Sequence, residues 1–299
     1  MSIVNTVSIV IVTFKRPQGL DATLKSVAKQ SIPADEVIVC DDCSGDNTNE
    51  VVAKWQGMIK NLRYYAQSKN LGMPGNLNFG ISRASGDIVL NLHDGDVYDE
   101  QLVEKCCDAF LAWPSAGLVF WDSLGKGDKH DHVPEFSHGR DFFEHFYLYQ
   151  RKSFIWGTVA VRKKVYCRLL PFDSLFEAWA DVDMWMRICL YYDIVHINEP
   201  LVELLDQGVF RVFNFNKVLR VQRMIFLNIY RFYRDKPQTL RRALHGQLKV
   251  QRRRWLWHMG GRLKRVELKL LIEGVRLAPK FFRIPQFSEE QIDGPHAVN

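Results

Sequence analysis

Three groups of acidic residues stand where short apolar runs of the sequence end or begin. In chain order they are Asp41-Asp42, Asp94-Gly95-Asp96 and Asp181-Val182-Asp183. Carboxylates at such places can hold a divalent cation, accept hydrogen bonds from a bound ligand, or take a proton from an attacking hydroxyl group. These residues are therefore candidates for binding a cation or a ligand, or for acting as a general base.

Each group also has an ordinary structural interpretation. Asp41-Asp42 could cap the following helix, Asp94-Gly95-Asp96 could form a simple turn, and Asp181 could favour a helix dipole. Asp183 is expected to have only this last role, because it lies about 200° around a helix from Asp181. The functional interpretation is favoured because all three groups fall at strand or loop ends on the side where a ligand is expected.

The elements that must position these groups alternate between strand and helix. Continuous β-branched runs predict strands, and apolar residues three to four positions apart predict helices. The predicted strands are residues 7–14, 36–40, 62–65 and 87–92, and the predicted helices are residues 18–30, 47–60 and 76–84. This alternation implies right-handed βαβ units and a doubly wound, mostly parallel α/β sheet. In such sheets ligands bind beyond the carboxyl ends of the strands, where two of the acidic groups lie.

The alternation loosens after residue 97 and changes character after residue 205. Residues 118–121 and 158–161 are predicted strands, and residues 180–190 are a predicted helix. Beyond residue 205 long segments with helical spacing carry many Arg and aromatic residues. We therefore predict two domains, an α/β domain over 1–205 and a basic, amphipathic helical extension over 206–299.

The composition is that of an ordinary soluble protein, with 47% hydrophobic and 25% charged residues. The first residues run into an apolar strand without a basic n-region, and no stretch approaches the roughly 20 apolar residues that span a bilayer. Six cysteines without regular spacing predict reduced thiols in the cytoplasm. Cys40 and Cys43 form a C-x-x-C pair, but the sequence has no second pair to complete a zinc site.

Charge divides the chain at the same boundary. Residues 1–205 carry 20 Lys/Arg against 27 Asp/Glu, a net charge of −7, whereas residues 206–299 carry 20 against 7, a net charge of +13. A basic amphipathic segment predicts an anionic partner, and we expect attachment to an anionic membrane surface. Five aromatic residues are expected to insert at the headgroup level, namely Phe226, Tyr230, Phe232, Trp255 and Trp257. Nucleic-acid binding and simple packing of the helices on the first domain are the alternatives.

Four sequence motifs carry a family resemblance. They are VSIVIVTFKRP, VIVCDDCSGDNT, KNLGMPGNLNFGISRASGDIVLNLHDGDVY and EAWADVDMWMRI. Through them, residues 7–205 resemble the family-2 glycosyltransferases of the GT-A fold. Each motif alone is a weak signal, whereas four in the same order are specific. The resemblance implies a GT-A-type α/β domain that takes a sugar from a nucleotide-diphosphate donor.

The resemblance also implies a role for each acidic group. Asp94 and Asp96 would bind a divalent cation, Mn²⁺ or Mg²⁺, next to the donor diphosphate, and Asp181 would act as the general base. The donor nucleotide would contact five residues, namely Thr13, Asp41, Asp42, Asn70 and Asp94. Among these, Asp42 is expected to accept a hydrogen bond from a ring N–H of the base.

Two positions depart from the family pattern. Family members often have Asp-x-Asp-Asp at this point. When this motif is aligned through the following Val97-Tyr98, His93 takes the first place and Gly95 takes a place normally held by a carboxylate. The Asp-x-Asp spacing survives in Asp94 and Asp96, and either carboxylate or both could bind the metal. Ala180 replaces a Glu that commonly precedes the base, while the base itself is retained.

Other residues have two interpretations. Trp156 and Trp179 flank the expected acceptor side, where they could stack on a sugar or pack in the core. His130 and His132 resemble a metal pair, but their Gly, Lys and Asp neighbours favour a solvated loop. Residues 251–255, QRRRW, match the Gln-x-x-Arg-Trp motif of processive polysaccharide synthases, although such a match arises easily in an Arg-rich helix.

These observations predict an inverting, metal-dependent glycosyltransferase. The expected donor is a UDP-sugar, and the expected acceptor is a hydroxyl of a glycan or lipid-linked molecule, as in bacterial surface polysaccharide synthesis. We expect a cytoplasmic enzyme, peripheral on the inner face of the cell membrane, without a nucleic-acid partner. One alternative is a nucleotidyltransferase, which TFKRPQG disfavours because it replaces a Gly-rich phosphate loop. The other is a non-catalytic nucleotide- or nucleic-acid-binding protein.

Overall fold

The computed structural model describes residues 5–124, 132–148, 155, 157–205, 214–264 and 268–293. Its strands are β1 Val7–Thr13, β2 Glu36–Asp41, β3 Leu62–Ala66, β4 Ile88–His93, β5 Asp96–Tyr98, β6 Ala116–Leu124, β7 Phe136–Ser137, β8 Val159–Arg162 and β9 Asp193–Leu204. Its α-helices are α1 Pro17–Val27, α2 Thr48–Trp55, α3 Gly72–Arg83, α4 Leu102–Ala112, α5 Gly139–Phe142, α6 Lys163–Leu169, α7 Ala180–Cys189, α8 Phe215–Tyr233, α9 Pro237–Lys264, α10 Leu268–Phe281 and α11 Glu289–Asp293. A π-helical segment, Phe143–Leu148, follows α5, and a 3₁₀ segment, Ser174–Trp179, precedes α7.

The nine strands of the described residues form one sheet. Its order is β3-β2-β1-β4-β8-β6-β9-β5, and β7 pairs with β9. The β3-β2-β1-β4 half is parallel, whereas β8 is antiparallel to β4 and to β6. Every residue of β2 is buried, as expected for an apolar, β-branched strand covered on both faces. The predicted α/β class is confirmed, and the complete sheet is mixed, with its parallel half formed by the first four strands.

Helix α3 packs so closely on the parallel half of the sheet that one of its positions requires a glycine. It lies against β1 and β2, and Gly80 is on the side of α3 that faces these strands. A β-carbon at this position would lie 2.6 Å from Cγ1 of Val10 and 3.0 Å from Sγ of Cys40. Because real β-carbons do not come so close, a larger residue here would push α3 away from the strands that carry the site.

α3 and β9 differ from their predictions. Residues 70–75 are predicted as a turn, yet α3 begins at Gly72, because Pro74 fits the first turn of a helix, where its missing N–H costs nothing. β9 runs over Asp193–Leu204 in a region where we predict no strand. Pro200 interrupts its apolar pattern, and shifts in register against β6 accommodate the interruption.

The backbone contacts divide the chain into two compact units. The α/β unit comprises Met1–Phe143 and Ser153–Gly208, and the helical unit comprises Glu144–Lys152 and Val209–Asn299. The predicted division after residue 205 does not include residues 144–152 in the second part. Glu144 accepts a hydrogen bond from the Tyr233 hydroxyl of α8 at 2.9 Å, a contact that a boundary drawn along the chain cannot express.

The helical unit is built from α8, α9, α10 and α11, which pack on one another. Its core contains three buried residues, Phe215, Leu277 and Phe281. α9 and α10 run antiparallel, since Gln251 Nε2 donates to the Lys280 carbonyl at 3.2 Å and Trp255 Nε1 donates to the Gly274 carbonyl at 3.1 Å. Among the described residues, none of the helices is both long and apolar enough to cross a bilayer.

Candidate active site

The ends of three neighbouring parallel strands bring the predicted site together. Thr13 at the end of β1 is paired with Asp41 of β2, and the preceding Val12 is paired with His93 of β4. The carboxyl ends of β1, β2 and β4 therefore meet at one edge of the sheet, which is where such folds bind ligands. The side chains of Thr13 and Asp41 are buried. These polar side chains are therefore enclosed by the fold and do not belong to a solvated surface loop.

Asp94 follows β4 and is held from two sides. Its Oδ2 accepts a hydrogen bond from Thr13 Oγ1 at 2.6 Å, and its Oδ1 accepts one from Arg16 Nη1 at 2.9 Å. A buried carboxylate needs such partners, because removing its charge from water is costly unless the charge is compensated. These contacts join the loop after β4 to the end of β1 and the start of α1.

Asp96 begins β5 and is also buried. The turn between the two carboxylates is made by Gly95, whose φ of +86° lies in the left-handed region that favours glycine. Thr23 of α1 fixes the turn, since its hydroxyl accepts a hydrogen bond from the Gly95 N–H at 3.0 Å and donates one to the Asp96 carbonyl at 2.7 Å. Asp94-Gly95-Asp96 therefore forms a turn, and the two candidate metal ligands flank it. The turn and the pair of carboxylates are not alternatives.

Asp41 has structural partners within this site. Its Oδ1 accepts hydrogen bonds from the N–H and the hydroxyl of Ser44, and its Oδ2 accepts one from the Tyr64 hydroxyl at 2.7 Å. Burial, together with this bond to Asp41, raises the pKa of the Tyr64 phenol above its usual range, so the phenol stays protonated and donates. Asp41 does not cap α2, because the Thr48 N–H in the first turn of that helix is bound by Asp46 at 3.0 Å.

The structure brings Asp42 and Asn70 together. Oδ1 of Asp42 accepts a hydrogen bond from the Leu71 N–H at 2.6 Å, and Nδ2 of Asn70 donates to the Asp42 carbonyl at 3.2 Å. Asp42 is buried, whereas Asn70 is exposed. The two residues predicted to contact the nucleotide therefore lie at one junction between the loop after β2 and the start of α3. Their role in nucleotide binding stays a prediction.

Asp181 lies in the first turn of α7, beside His93. A β-carbon at Gly157 would lie 2.5 Å from Nε2 of His93 and 3.2 Å from Oδ2 of Asp181, so both side chains border the same point. Asp181 is half-buried, and its Oδ1 accepts a hydrogen bond from the Val182 N–H at 2.7 Å. Burial, reinforced by the charge of Arg16, lowers the pKa of His93 to about 4. The imidazole is therefore neutral at pH 7 and can both donate and accept a hydrogen bond.

Asp183 has a structural partner two residues further along α7. Its Oδ2 accepts a hydrogen bond from Arg187 Nε at 2.8 Å, and both side chains are buried. Arg187 also donates to the carbonyls of Leu169 and Pro171. The side chain thus ties α7 to the end of α6. This ion pair gives Asp183 the structural role that the sequence predicts for it.

The remaining sequence candidates are two tryptophans and two histidines. Trp179 is half-buried at the start of α7, whereas Trp156 and His130 lie outside the described residues. His132 is exposed. In the part of the chain that the structure describes, no group of three or more His, Cys, Asp or Glu residues is placed to hold a metal ion. A cation at Asp94 and Asp96 would therefore need further ligands from the substrate or from water.

Two sequence motifs have structural explanations. Cys40 and Cys43 are free thiols, and burial raises the pKa of Cys40 to about 12, which disfavours the thiolate that a metal would require. In the QRRRW motif, Gln251 and Trp255 make the hydrogen bonds that hold α9 against α10. That motif therefore packs the helical unit.

The aromatic residues of the helical unit divide into buried and exposed ones. Phe226 and Phe232 are buried, so the expectation that they insert into a membrane is wrong. Helical spacing shows which residues share a face but not which face the other helices cover. Tyr230 is half-buried and packs edge-on against Phe287. Trp257, by contrast, is 75% exposed.

Arg16 and Gly157 are site residues to which the sequence analysis assigns no role. Arg16 could be found from sequence, because it lies three residues after Thr13, which ends β1. Gly157 has no such signal. Its place beside His93 and Asp181 arises because β8, which begins two residues later, pairs with β4.

With this geometry established, comparison with known proteins gives a family. The model described as Glycosyl transferase family 2 matches residues 8–170, more than half of the chain. This range includes the site residues from Thr13 to Gly157 and ends before Asp181. A stretch of 90 residues is 37% identical to GalNAc(5)-diNAcBac-PP-undecaprenol beta-1,3-glucosyltransferase of Campylobacter jejuni, covering 30% of this chain and 29% of that protein. The match thus spans less than a third of the relative's length.

Solved structures share the fold at low sequence identity. TarS 1–349 of S. aureus in complex with UDP-GlcNAc superposes with a TM-score of 0.61 at 19% identity, over 75% of this chain and 66% of that one. The mannosyltransferase PcManGT of Pyrobaculum calidifontis, in complex with GDP-Man and Mn²⁺, superposes with a TM-score of 0.58 at 17% identity, over 93% and 81%. These likenesses confirm the predicted GT-A-type fold, and the family match confirms the predicted class of enzyme. The chain belongs to glycosyl transferase family 2.

Proposed function

We propose that this chain transfers a sugar from a nucleotide-diphosphate donor to a hydroxyl group, with inversion at the anomeric carbon. The observation that carries the proposal is the convergence of Asp42, Asp94 and Asp181 around the carboxyl ends of β1, β2 and β4. Family membership supports glycosyl transfer in general. The donor, the acceptor and the stereochemistry are proposed from the residues of the site.

Asp181 is the proposed base. It would take the proton of the acceptor hydroxyl while the hydroxyl oxygen forms its bond to the anomeric carbon. The bond from that carbon to the diphosphate oxygen breaks, and its electron pair leaves with the diphosphate. A direct displacement of this kind inverts the anomeric centre. The neutral imidazole of His93, which borders the same point as the Asp181 carboxylate, is placed to donate a hydrogen bond there without adding charge.

The donor nucleotide is proposed to lie against Asp42, Asn70 and Thr13, with Asp41 holding the loop that carries Asp42. We propose a UDP-sugar, because a uracil ring N–H can donate to the Asp42 carboxylate. The TarS complex with UDP-GlcNAc supports this choice on the same fold. The donor sugar itself is not specified by these residues.

A divalent cation, Mn²⁺ or Mg²⁺, is the proposed cofactor. Asp94 and Asp96 fit it, since such cations usually take one or two protein carboxylates and complete their shell with phosphates and water. When bound, the cation would supply positive charge to the diphosphate. Asp94, whose carboxylate accepts a hydrogen bond from Arg16, would be one of the ligands of that cation.

The proposed acceptor is a hydroxyl of a glycan or a lipid-linked molecule, with Trp179, and Trp156 from the undescribed part, as candidates for stacking on it. The C. jejuni relative is named for an undecaprenol-linked substrate, which supports such an acceptor. We propose residues 1–205 as the transferase domain and residues 206–299 as an extension that binds the cytoplasmic face of an anionic membrane. A peripheral enzyme and a lipid-linked acceptor would then share one surface.

The exposed face of the α9–α10 pair around Trp257 and Ile272 is the proposed contact with lipid. Trp255 of α9 is level with Gly274 of α10, so the exposed Trp257, two residues further, is level with the exposed Ile272. Exposed side chains within five residues of Trp257 or Ile272 along α9 and α10 include Arg252, Arg253, Leu256, Val275 and Arg276. Apolar side chains rimmed by arginines match an anionic bilayer surface, where each basic residue contributes about 1 kcal/mol of binding free energy. Binding of RNA is the competing use of the same residues.

A donor panel tests the enzymatic proposal. The chain should hydrolyse or transfer from at least one UDP-sugar in the presence of Mn²⁺ or Mg²⁺, and Asp96→Ala should remove most of the metal-dependent donor binding. Normal manganese and donor binding in both Asp94→Ala and Asp96→Ala would show that the metal site is misplaced. Nucleotide binding without any transfer would favour the non-catalytic alternative, and formation of a nucleotide sugar from a sugar phosphate would favour a nucleotidyltransferase.

A further inference from the structure

Arg16 lies at the edge of the sheet, next to a buried carboxylate. It lies between β1 and α1, and its Nη1 donates to Asp94 Oδ1 at 2.9 Å. The Asp94 side chain is 8% exposed, whereas that of Arg16 is 36% exposed. The guanidinium therefore covers a buried carboxylate on one side and reaches solvent on the other, at the edge where the donor is proposed to bind.

Gly95 makes room for this guanidinium. A β-carbon at Gly95 would lie 2.4 Å from Nη2 and 3.1 Å from Cζ of Arg16. Any side chain at position 95 would displace the cation. The Arg16 guanidinium thus lies where a side chain at position 95 would be. A positive group therefore takes the place of the carboxylate that the Asp-x-Asp-Asp pattern has there. The local result is one fewer carboxylate and one cation beside the two carboxylates that remain.

We infer that Arg16 binds the diphosphate of the donor directly and stabilises the charge that develops on it, in addition to any cation held by Asp94 and Asp96. This inference rests on the proposed function. A guanidinium is always charged, and its planar array of donors matches phosphate oxygens. Since the electron pair of the breaking bond moves onto the diphosphate, a fixed cation at this point favours departure of the leaving group. Nucleoside-diphosphate binding should therefore keep a part that needs no metal.

The simpler alternative is that Arg16 only neutralises Asp94. Removing Arg16 would then weaken diphosphate binding indirectly, because an uncompensated Asp94 would repel the phosphates. The two explanations differ when both charges are removed together. Direct binding requires the guanidinium itself, so Asp94→Asn would not restore what Arg16→Gln loses. Indirect action requires only neutrality, so Asp94→Asn would restore it.

Calorimetric titration of the full chain with UDP and with uridine, in EDTA, separates these cases. Arg16→Gln should weaken UDP binding by about ten- to hundredfold, the range for a hydrogen bond to a charged group, and leave uridine binding unchanged. The double variant Arg16→Gln/Asp94→Asn should stay as weak as Arg16→Gln. Asp94→Asn alone should bind UDP in EDTA at least as tightly as the unaltered chain, because it leaves the guanidinium to the diphosphate.

The control is Arg168→Gln, which removes one positive charge from a residue that stacks over the Tyr191 ring at 4.1 Å. It should leave UDP binding unchanged, whereas Arg16→Lys should give an intermediate loss. Recovery of UDP binding in the double variant, or an equal loss for uridine and UDP in Arg16→Gln, would overturn the inference. So would binding of UDP by the unaltered chain only when Mn²⁺ is present, although the proposed function would then stand. Failure of UDP and GDP to bind with or without Mn²⁺ would overturn both.

Discussion

The two units of this chain use charge in opposite ways. In the α/β unit the important charges are carboxylates, and they are buried with specific partners, as Asp94 is with Thr13 and Arg16. In the helical unit they are arginines, and several in α9 and α10, such as Arg253 and Arg276, are exposed. In the first arrangement hydrogen bonds fix the position of each charged group. In the second the charges only make the surface basic.

This difference sets the size of the effect expected from a single substitution. A buried charge depends on one geometry, so losing a partner leaves an uncompensated group in a poorly solvated place. Exposed charges act together and are screened by salt, so each contributes little alone. The expected effects therefore fall from the base in α7 to the exposed side chains of α9 and α10.

The largest effect is expected at Asp181. Asp181→Asn should lower the transfer rate by about 10²–10⁴-fold, the usual contribution of a general base, while donor binding persists because the base acts on the acceptor. The measurement is steady-state transfer alongside calorimetric donor binding. Full activity in this variant would remove Asp181 from the mechanism and weaken the claim that the α/β unit depends on individual carboxylates.

Asp183, on the same helix, should respond in stability. Asp183→Asn leaves the buried Arg187 without its carboxylate and should lower the free energy of unfolding by about 3–5 kcal/mol. The matched control is Glu199→Gln, which breaks the exposed pair with Lys105 at 2.7 Å and should cost no more than about 1 kcal/mol. Chemical denaturation of both variants measures this. Equal losses would mean that burial does not distinguish these ion pairs.

A smaller effect is expected at Asp42, which is proposed to contact the nucleotide in both the ground and the transition state. Asp42→Asn keeps an oxygen for the Leu71 N–H but loses the negative charge. It should raise the donor KM by about tenfold or more and change kcat less. Kinetics with a series of UDP-sugars test this. An unchanged KM for every uridine donor would count against the proposed contact.

The smallest individual effects are expected in the helical unit. The full chain should pellet with anionic vesicles and not with neutral ones, and rising salt should release it. Trp257→Ser combined with Ile272→Ser should weaken this binding severalfold, because both are large exposed apolar side chains of the α9–α10 pair. The control is Leu111→Ser, an exposed apolar residue of the α/β unit.

Equal binding of the double variant and the unaltered chain would exclude the face around Trp257 and Ile272 as the lipid contact. Preferential retention by RNA would favour the competing partner. Either result would also change the comparison between the units, since the basic surface would then have a more specific use than attraction to a charged plane.

The sequence by itself determined the elements whose pattern is local. The buried runs that form β1, β2 and β4, the helices between them and the Asp-x-Asp turn were all predicted from neighbouring residues, because a strand or helix repeats its chemistry every two to four positions. The resemblance to glycosyl transferase family 2 rests on the same local runs. β9 escaped prediction because Pro200 interrupts its pattern and pairing with β6 supplies what the pattern lacks.

Only the tertiary structure decided which of these residues meet. Arg16 and Asp94 are 78 residues apart in sequence, and His93 and Asp181 come together around Gly157 through the antiparallel pairing of β8. The same applies to Phe226 and Phe232, whose helix is amphipathic in sequence but whose aromatic side chains are buried. Local spacing determines the face of an element, whereas the partner of that face depends on contacts between distant parts of the chain, which no local pattern encodes.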